Sequence, residues 1–121
     1  MNYMNFIAPT TTDLLLSEAE KESLYLKLIE QINKDFHLAN EEIGLPLNAS
    51  PEELKAALHE KIYRLIQYKF AEYLNLLYII DVPEEQIKQL DGSDISILSE
   101  QVAFLVLKRE WMKVWFRNRY S

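Results

Sequence analysis

Few residues in this sequence have the types and spacing of a catalytic or metal site. Only two histidines, His37 and His59, occur among the 121 residues. His59 is followed by a glutamate, as in the zinc-protease pattern His-Glu-x-x-His, but Tyr63 stands where the second histidine must be. The Glu-x-x-His pattern of di-iron bundles fails too, because Lys34 and Ala56 occupy the glutamate positions. The sequence therefore predicts no metal site and no cofactor.

Other catalytic arrangements are equally hard to find. The chain has no cysteine, and its two glycines do not form a phosphate-binding loop or a Gly-x-Ser-x-Gly nucleophile motif. Nearly all carboxylates fall either at expected helix starts, where they stabilise the helix dipole, or on the expected solvent-facing sides of helices. Glu72 and Glu100 lie in apolar stretches, so we expect them to be partly buried with a raised pKa. A lone carboxylate does not make a catalytic site, and we expect the protein not to be an enzyme.

The carboxy-terminal segment KREWMKVWFRNRYS is the most distinctive stretch. It carries a local charge of about +4, although the whole chain has a net charge of −6, and it contains both tryptophans. Aromatic side chains beside arginine are typical of interface hot spots. We take the following as a possible partner-binding patch: Trp115, Phe116, Arg117, Arg119 and Tyr120. Two alternatives remain: the tryptophans fill the core, or the segment binds nucleic acid weakly by stacking and charge.

Composition limits the class of protein. The acidic balance argues against general affinity for nucleic acid or anionic membranes. No apolar run approaches the roughly 18 residues of a membrane span, and the amino terminus lacks the basic and apolar regions of a secretion signal. The absence of cysteine fits a reducing compartment. We therefore expect a soluble cytoplasmic protein with one domain over residues 1–121.

The hydrophobic pattern predicts an all-α, up-down helical bundle. Apolar residues recur at steps of three and four in three long segments, about 18–38, 51–80 and 94–119, and a short helix is expected at about 83–90. Ser17 with Glu20 and Ser50 with Glu53 have the spacing of capping boxes. Ser93 or Asp94 is expected to cap the last helix.

Two segments lie outside these helices. Residues 1–13 form an arm that is more apolar than a typical disordered tail, and we expect it to cover part of the bundle. Residues 40–49 lack helical periodicity and form the only long loop, with Ile43, Leu45 and Leu47 expected to hold it on the core.

Two helical segments are apolar on every side. They are Leu74–Ile80 in the central helix and Val102–Leu107 in the last one. A helix that is apolar all round must be buried all round. We therefore expect function through protein association, with a homodimer favoured over a different protein partner. A bundle that binds a small apolar ligand among its tyrosines is the alternative.

Overall fold

The structure is a computed structural model that describes residues 6–120. Over this range the regular secondary structure is entirely α-helical. Within that range six helices follow one another: α1 (Thr12–Lys21), α2 (Tyr25–Leu38), α3 (Pro51–Tyr68), α4 (Phe70–Ile80), α5 (Glu84–Lys88) and α6 (Ile95–Tyr120). The predicted all-α class is confirmed, but two of the predicted long helices are each divided.

The predicted helix over 18–38 is two helices in the structure. Helix α1 begins earlier than expected, and its cap is Thr11, whose hydroxyl accepts a hydrogen bond from the Leu14 amide at 3.1 Å. The predicted cap at Ser17 is therefore wrong. Ser23 then takes a left-handed backbone conformation with φ of 60°, which ends α1 and allows Leu24 to enter the core before α2 starts. No glycine or proline marks this break in the sequence.

The predicted helix over 51–80 is also interrupted. Its start is as expected: Ser50 Oγ accepts from the Glu53 amide at 3.1 Å, and Glu53 Oε1 accepts from the Ser50 amide at 2.8 Å. Lys69, with φ of −143° and ψ of 62°, leaves helical geometry and separates α3 from α4. We find no local sequence feature that accounts for this break.

The remaining two helices are close to the prediction. The short helix occupies Glu84–Lys88 rather than 83–90, and the last helix occupies Ile95–Tyr120 rather than 94–119. Asp94 caps α6, because its Oδ1 accepts from the amides of Ser96 and Ile97 at 2.9 and 3.1 Å.

Three helices end with the same backbone motif. A left-handed residue follows the helix, and the next amide donates back to the carbonyl five positions earlier, as in a Schellman cap. The three donations, at 2.8 to 3.0 Å, are from Leu24 to Ala19, from Glu41 to Phe36 and from Val82 to Leu77. The left-handed residues are Ser23, Asn40 and Asp81, none of them glycine. Each cap sends the following residue into the protein interior, since Leu24, Glu41 and Val82 are all buried.

Helix α6 is the centre of the packing. It contacts α1, α2, α3 and α4. Its buried residues occupy several faces of the helix and include Val102, Val106, Trp111 and Trp115. Leu76 of α4 and Val106 of α6 are completely buried within one chain. Much of the apolar surface for which we expected a second subunit is therefore covered by the chain itself.

The loop over residues 40–49 is held by a side chain of α2. Asn33 donates to the Leu45 carbonyl and accepts from the Leu45 amide, both at 2.9 Å. Leu45 is buried and Ile43 is partly buried, as expected, whereas Leu47 is exposed. Tyr25 closes the end of the loop by donating to the Ala49 carbonyl at 2.8 Å.

The predicted arm is shorter than 13 residues. Residues 1–5 lie outside the described range, and α1 has begun by Thr12. Phe6 packs on the last helix, which agrees with a covering role for this segment, while Ile7 is 80% exposed.

Candidate functional site

The predicted partner-binding patch lies partly inside the protein. Trp115 is buried, and its ring meets Phe6 of the arm edge-on with centroids 5.0 Å apart. Phe116 is half-buried between Phe6 at 5.5 Å and Tyr120 at 5.8 Å. Only Arg117, Arg119 and Tyr120 of the five predicted residues are exposed. The aromatic residues of this patch thus pack largely on one another and on the arm.

Both arginines of the patch already have partners in the chain. The Arg119 guanidinium lies 4.5 Å from the centre of the Trp115 ring, a cation–π contact, and 3.5 Å from the carboxylate of Glu22. Arg117 Nη1 donates to Gln31 Oε1 at 2.8 Å. Lys113 and Arg109, earlier in the basic segment, pair with Asp35 and Asp81. The carboxylate partners of Arg109, Lys113 and Arg119 reduce the positive charge available for a nucleic-acid backbone, whereas the neutral Gln31 amide leaves the charge of Arg117 uncompensated.

A buried polar cluster lies between α2 and α6. Asp35 Oδ2 accepts from Lys113 Nζ at 2.7 Å and from Gln31 Nε2 at 3.1 Å. Lys113 Nζ also lies 3.4 Å from Oε1 of Glu110, whose side chain is 0% exposed. The cluster therefore brings two carboxyl groups and one ammonium group together in the interior.

The pKa values of the two carboxyl groups are shifted in opposite directions. Burial raises the pKa of Glu110 to about 10, and the adjacent Asp35 carboxylate adds to that shift more than Lys113 offsets it. Burial also raises the pKa of Asp35, but the adjacent Glu110 carboxyl and the hydrogen bonds from Lys113 and Gln31 outweigh it, so the net pKa lies below the ordinary value. At neutral pH Glu110 is thus protonated and Asp35 is charged, which leaves the cluster electrically neutral with Lys113.

Sequence reasoning missed this cluster. We expected Glu72 and Glu100 to be partly buried, and both are exposed, so that prediction is wrong. One feature of the sequence was informative: Glu110 follows Ala103 and Leu107 and precedes Val114 at helical spacing, which puts it on a core-facing stripe. Its partner lies 75 residues away in the chain, and no local pattern pointed to the pairing.

A second buried carboxylate connects the loop to the central helices. Glu41 is buried just after α2 and lies 3.3 Å from Lys61 Nζ and 4.0 Å from Lys69 Nζ. These lysines belong to α3 and to the break before α4. The two lysines balance the charge of Glu41 and connect the helix break at Lys69 with the end of α2.

Several grooves border α6. One of about 480 Å³ has an apolar floor of Leu58, Ala103 and Leu107 and a rim that carries the ion pair of Lys55 with Asp13 at 3.0 Å. None of the tyrosines at positions 63, 68, 73 and 78 lines it. Another groove, of about 250 Å³, lies between α2 and α6 beside the buried cluster.

The outer face of α4 is apolar and uncovered. Phe70, Leu74 and Tyr78 follow one another at spacing four and are all large, exposed side chains. Ala71 and Asn75 lie beside them and are also exposed. At 3.6 residues per turn these five residues occupy an arc of about 140°, and none carries a charge. This stripe is the part of the predicted apolar surplus that the described chain leaves open.

The histidines take part in local contacts. His37 is exposed and pairs with Glu42. His59 Nε2 lies 3.1 Å from the Ser96 carbonyl oxygen, to which it can donate a hydrogen bond. Over residues 6–120, no group of three potential metal-binding side chains comes together.

Comparison with protein-family models, with curated proteins and with solved structures finds no match for this chain. None of the helices in the described range has the length and apolar character needed to cross a bilayer.

Proposed function

We propose that this protein acts without catalysis, by associating with a second copy of itself through the outer face of α4. The observation that carries the proposal is the uncharged stripe of Phe70, Ala71, Leu74, Asn75 and Tyr78, which no part of the described chain covers. A contiguous exposed apolar patch on a soluble domain is typical of an interaction site.

The shape of the stripe favours pairing with an identical stripe. Leu74 lies at its middle, with Phe70 and Tyr78 one turn away on either side. If two α4 helices cross antiparallel on a two-fold axis, Leu74 meets its own counterpart and Phe70 meets Tyr78 of the other copy. Such an interface is self-complementary, as the two-fold symmetry of most homodimers requires. The small side chains of Ala71 and Asn75 allow the helices to approach closely.

The charge distribution favours the same face. Each copy carries a net charge of −6, so two copies repel one another through most of their surfaces. An uncharged stripe brings the fewest like charges into contact. Because added salt screens the remaining repulsion, we expect salt to strengthen the dimer, the opposite of its effect on an interface built from ion pairs.

The size of the stripe limits the affinity. Helix α4 is about 16 Å long and presents less than the roughly 800 Å² per partner that a stable interface needs. Tyr68, a large exposed side chain just before α4, extends the apolar surface. We therefore expect a reversible dimer with a dissociation constant in the micromolar range or weaker.

A pair of matched variants tests the proposal. Leu74 on the stripe and Leu26 on α2 are both helical and almost equally exposed, at 51% and 49%. Sedimentation equilibrium from micromolar to millimolar concentration should show a monomer–dimer equilibrium for the wild type and for Leu26→Glu. Leu74→Glu should remain monomeric, because the charge would be buried without a partner. A wild type that stays monomeric at millimolar concentration, or equal losses in the two variants, would overturn the proposal.

A further inference from the structure

The groove between α2 and α6 has a composition unlike the rest of this acidic protein. Its lining residues lie at helical spacing on the facing sides of the two helices: Lys27, Glu30, Gln31 and Lys34 from α2, and Val114, Arg117 and Asn118 from α6. Three cations and one carboxylate give the groove a charge of about +2, within a chain of net charge −6.

The three cations lack carboxylate partners. Over residues 6–120, Lys27, Lys34 and Arg117 form no ion pair, whereas Arg109, Lys113 and Arg119 of α6 each do. Even Glu30, four residues before Lys34 on the same face, lies beyond ion-pair distance of it in the described structure. The positive charge of the groove is therefore available to a ligand.

Arg117 is held in place by the buried cluster. Gln31, only 5% exposed, accepts from Arg117 Nη1 at 2.8 Å through Oε1 and donates to Asp35 at 3.1 Å through Nε2. The Asp35 contact fixes the orientation of the Gln31 amide, and the amide in turn fixes the guanidinium at the groove. A guanidinium has five N–H donors, and Gln31 uses one of them. Because the guanidinium is already ordered, the entropy cost of binding a ligand there is smaller.

We propose that this groove binds a small dianion, specifically a phosphate monoester of a polyol. An ordered, planar guanidinium with two flanking ammonium groups fits a phosphate group, which arginine binds through two parallel N–H donors. The carboxylate of Glu30 and the amide of Asn118 can accept from and donate to hydroxyl groups on the rest of the ligand. The volume of about 250 Å³ suits a small molecule rather than a folded macromolecule.

Glycerol 3-phosphate is a suitable probe, and inorganic phosphate and glycerol separate the two parts of the ligand. Titrations at low salt, followed by the amide and methyl NMR signals of residues 27–34 and 114–118, should show saturable binding of glycerol 3-phosphate. Inorganic phosphate should bind more weakly, and glycerol should not bind. Binding should weaken as salt is added, because the contact is ionic.

Variants locate the site. Arg117→Gln should weaken glycerol 3-phosphate binding about tenfold or more, as expected for loss of a charge-assisted hydrogen bond. Lys34→Gln should weaken it too, and since Lys34 is outside the buried cluster its effect is independent of any change in folding. Arg64→Gln, at an exposed arginine of α3 outside the groove, is the matched control and should leave binding unchanged.

Several results would overturn the assignment. They are the absence of saturable binding, equal losses in the Arg64 and Arg117 variants, or binding of inorganic phosphate as tight as that of the ester. Tighter binding of a short single-stranded oligonucleotide, also lost in Arg117→Gln, would instead assign the groove to nucleic acid and contradict the proposal.

Discussion

Lys113 and Asp35, 78 residues apart in the sequence, form an ion pair of 2.7 Å in the interior between α2 and α6. Glu110, one turn before Lys113, faces the same pair and is the only one of the three that is neutral at pH 7. A buried ion pair contributes little net stability unless its surroundings balance the charge. Here the balance depends on Glu110 keeping its proton.

The pH dependence of stability should therefore report on Glu110. In the unfolded chain a glutamate loses its proton near its ordinary pKa of about 4.3, but in the folded protein the pKa of Glu110 is about 10. Between these values the folded state binds one proton more than the unfolded state, so stability falls as pH rises, by up to about 1.4 kcal/mol per pH unit. Glu110→Gln keeps the shape and removes the titration. Urea unfolding from pH 5 to 9 should show that this variant gains stability over the wild type as pH increases.

Asp35→Asn is the control for that prediction. Removing the Asp35 charge takes away a cause of the raised Glu110 pKa and leaves Lys113 without its anion. Glu110 should then ionise more readily, and the fall in stability between pH 5 and 9 should be smaller than in the wild type. A Glu110→Gln variant whose stability tracks the wild type over this range would contradict the protonated state of Glu110.

The left-handed turn at Ser23 should be improved by glycine. Ser23 has φ of 60°, which costs a residue with a Cβ about 1 kcal/mol. Ser23→Gly should therefore raise the free energy of unfolding by up to about 1 kcal/mol. The same substitution at Ser17, an exposed residue inside α1, should lower it by about 0.5 kcal/mol because glycine disfavours a helix. Thermal melts of the two variants should shift in opposite directions, and shifts of the same sign would contradict the role of Ser23.

The two hydrogen bonds between the Asn33 side chain and the Leu45 backbone should hold the loop over residues 40–49 in place. Asn33→Ala leaves the Leu45 amide and carbonyl without these partners, and we expect a loss of about 2 kcal/mol in unfolding free energy. Hydrogen exchange should show faster exchange at the Leu45 amide. Asn48→Ala, at an exposed position of the same loop, should change neither quantity. If the Leu45 amide is equally protected from hydrogen exchange in Asn33→Ala, these two hydrogen bonds do not hold the loop.

The contact of Phe6 with Trp115 should be visible in fluorescence. Phe6→Ala removes an aromatic neighbour 5.0 Å away, so Trp115 becomes more accessible while Trp111, fully buried, does not. We expect a red-shifted emission, stronger quenching by acrylamide and a loss of about 1 kcal/mol in stability. Ile7→Ala, next in the chain and largely exposed, should leave the spectrum unchanged. An unchanged spectrum in Phe6→Ala would show that the arm does not shield Trp115 in solution.

The sequence predicted those parts of the fold that are encoded locally. The capping box of Ser50 and Glu53, the cap at Asp94 and the apolar stripes depend on residues within one or two turns of each other, and all are present. The breaks at Ser23 and Lys69 were missed because neither position carries glycine or proline, the residues that ordinarily mark a break.

The candidate site was predictable only in part. The charge and aromatic content of residues 108–120 pointed to this end of the molecule, but the pattern alone did not distinguish Trp115 in the core from Arg117 at the surface. The distinction depends on Phe6 and Gln31, which come from distant parts of the chain. The sequence did not show which face of α4 is exposed, since apolar residues occupy every face of that helix.

The three non-glycine caps have a consequence for how this protein tolerates change. Ser23, Asn40 and Asp81 are all exposed, and exposed positions ordinarily accept most amino acids. A saturation library should nevertheless show these three sites accepting glycine, asparagine and aspartate and rejecting valine and isoleucine, whose branched side chains are the least compatible with a positive φ.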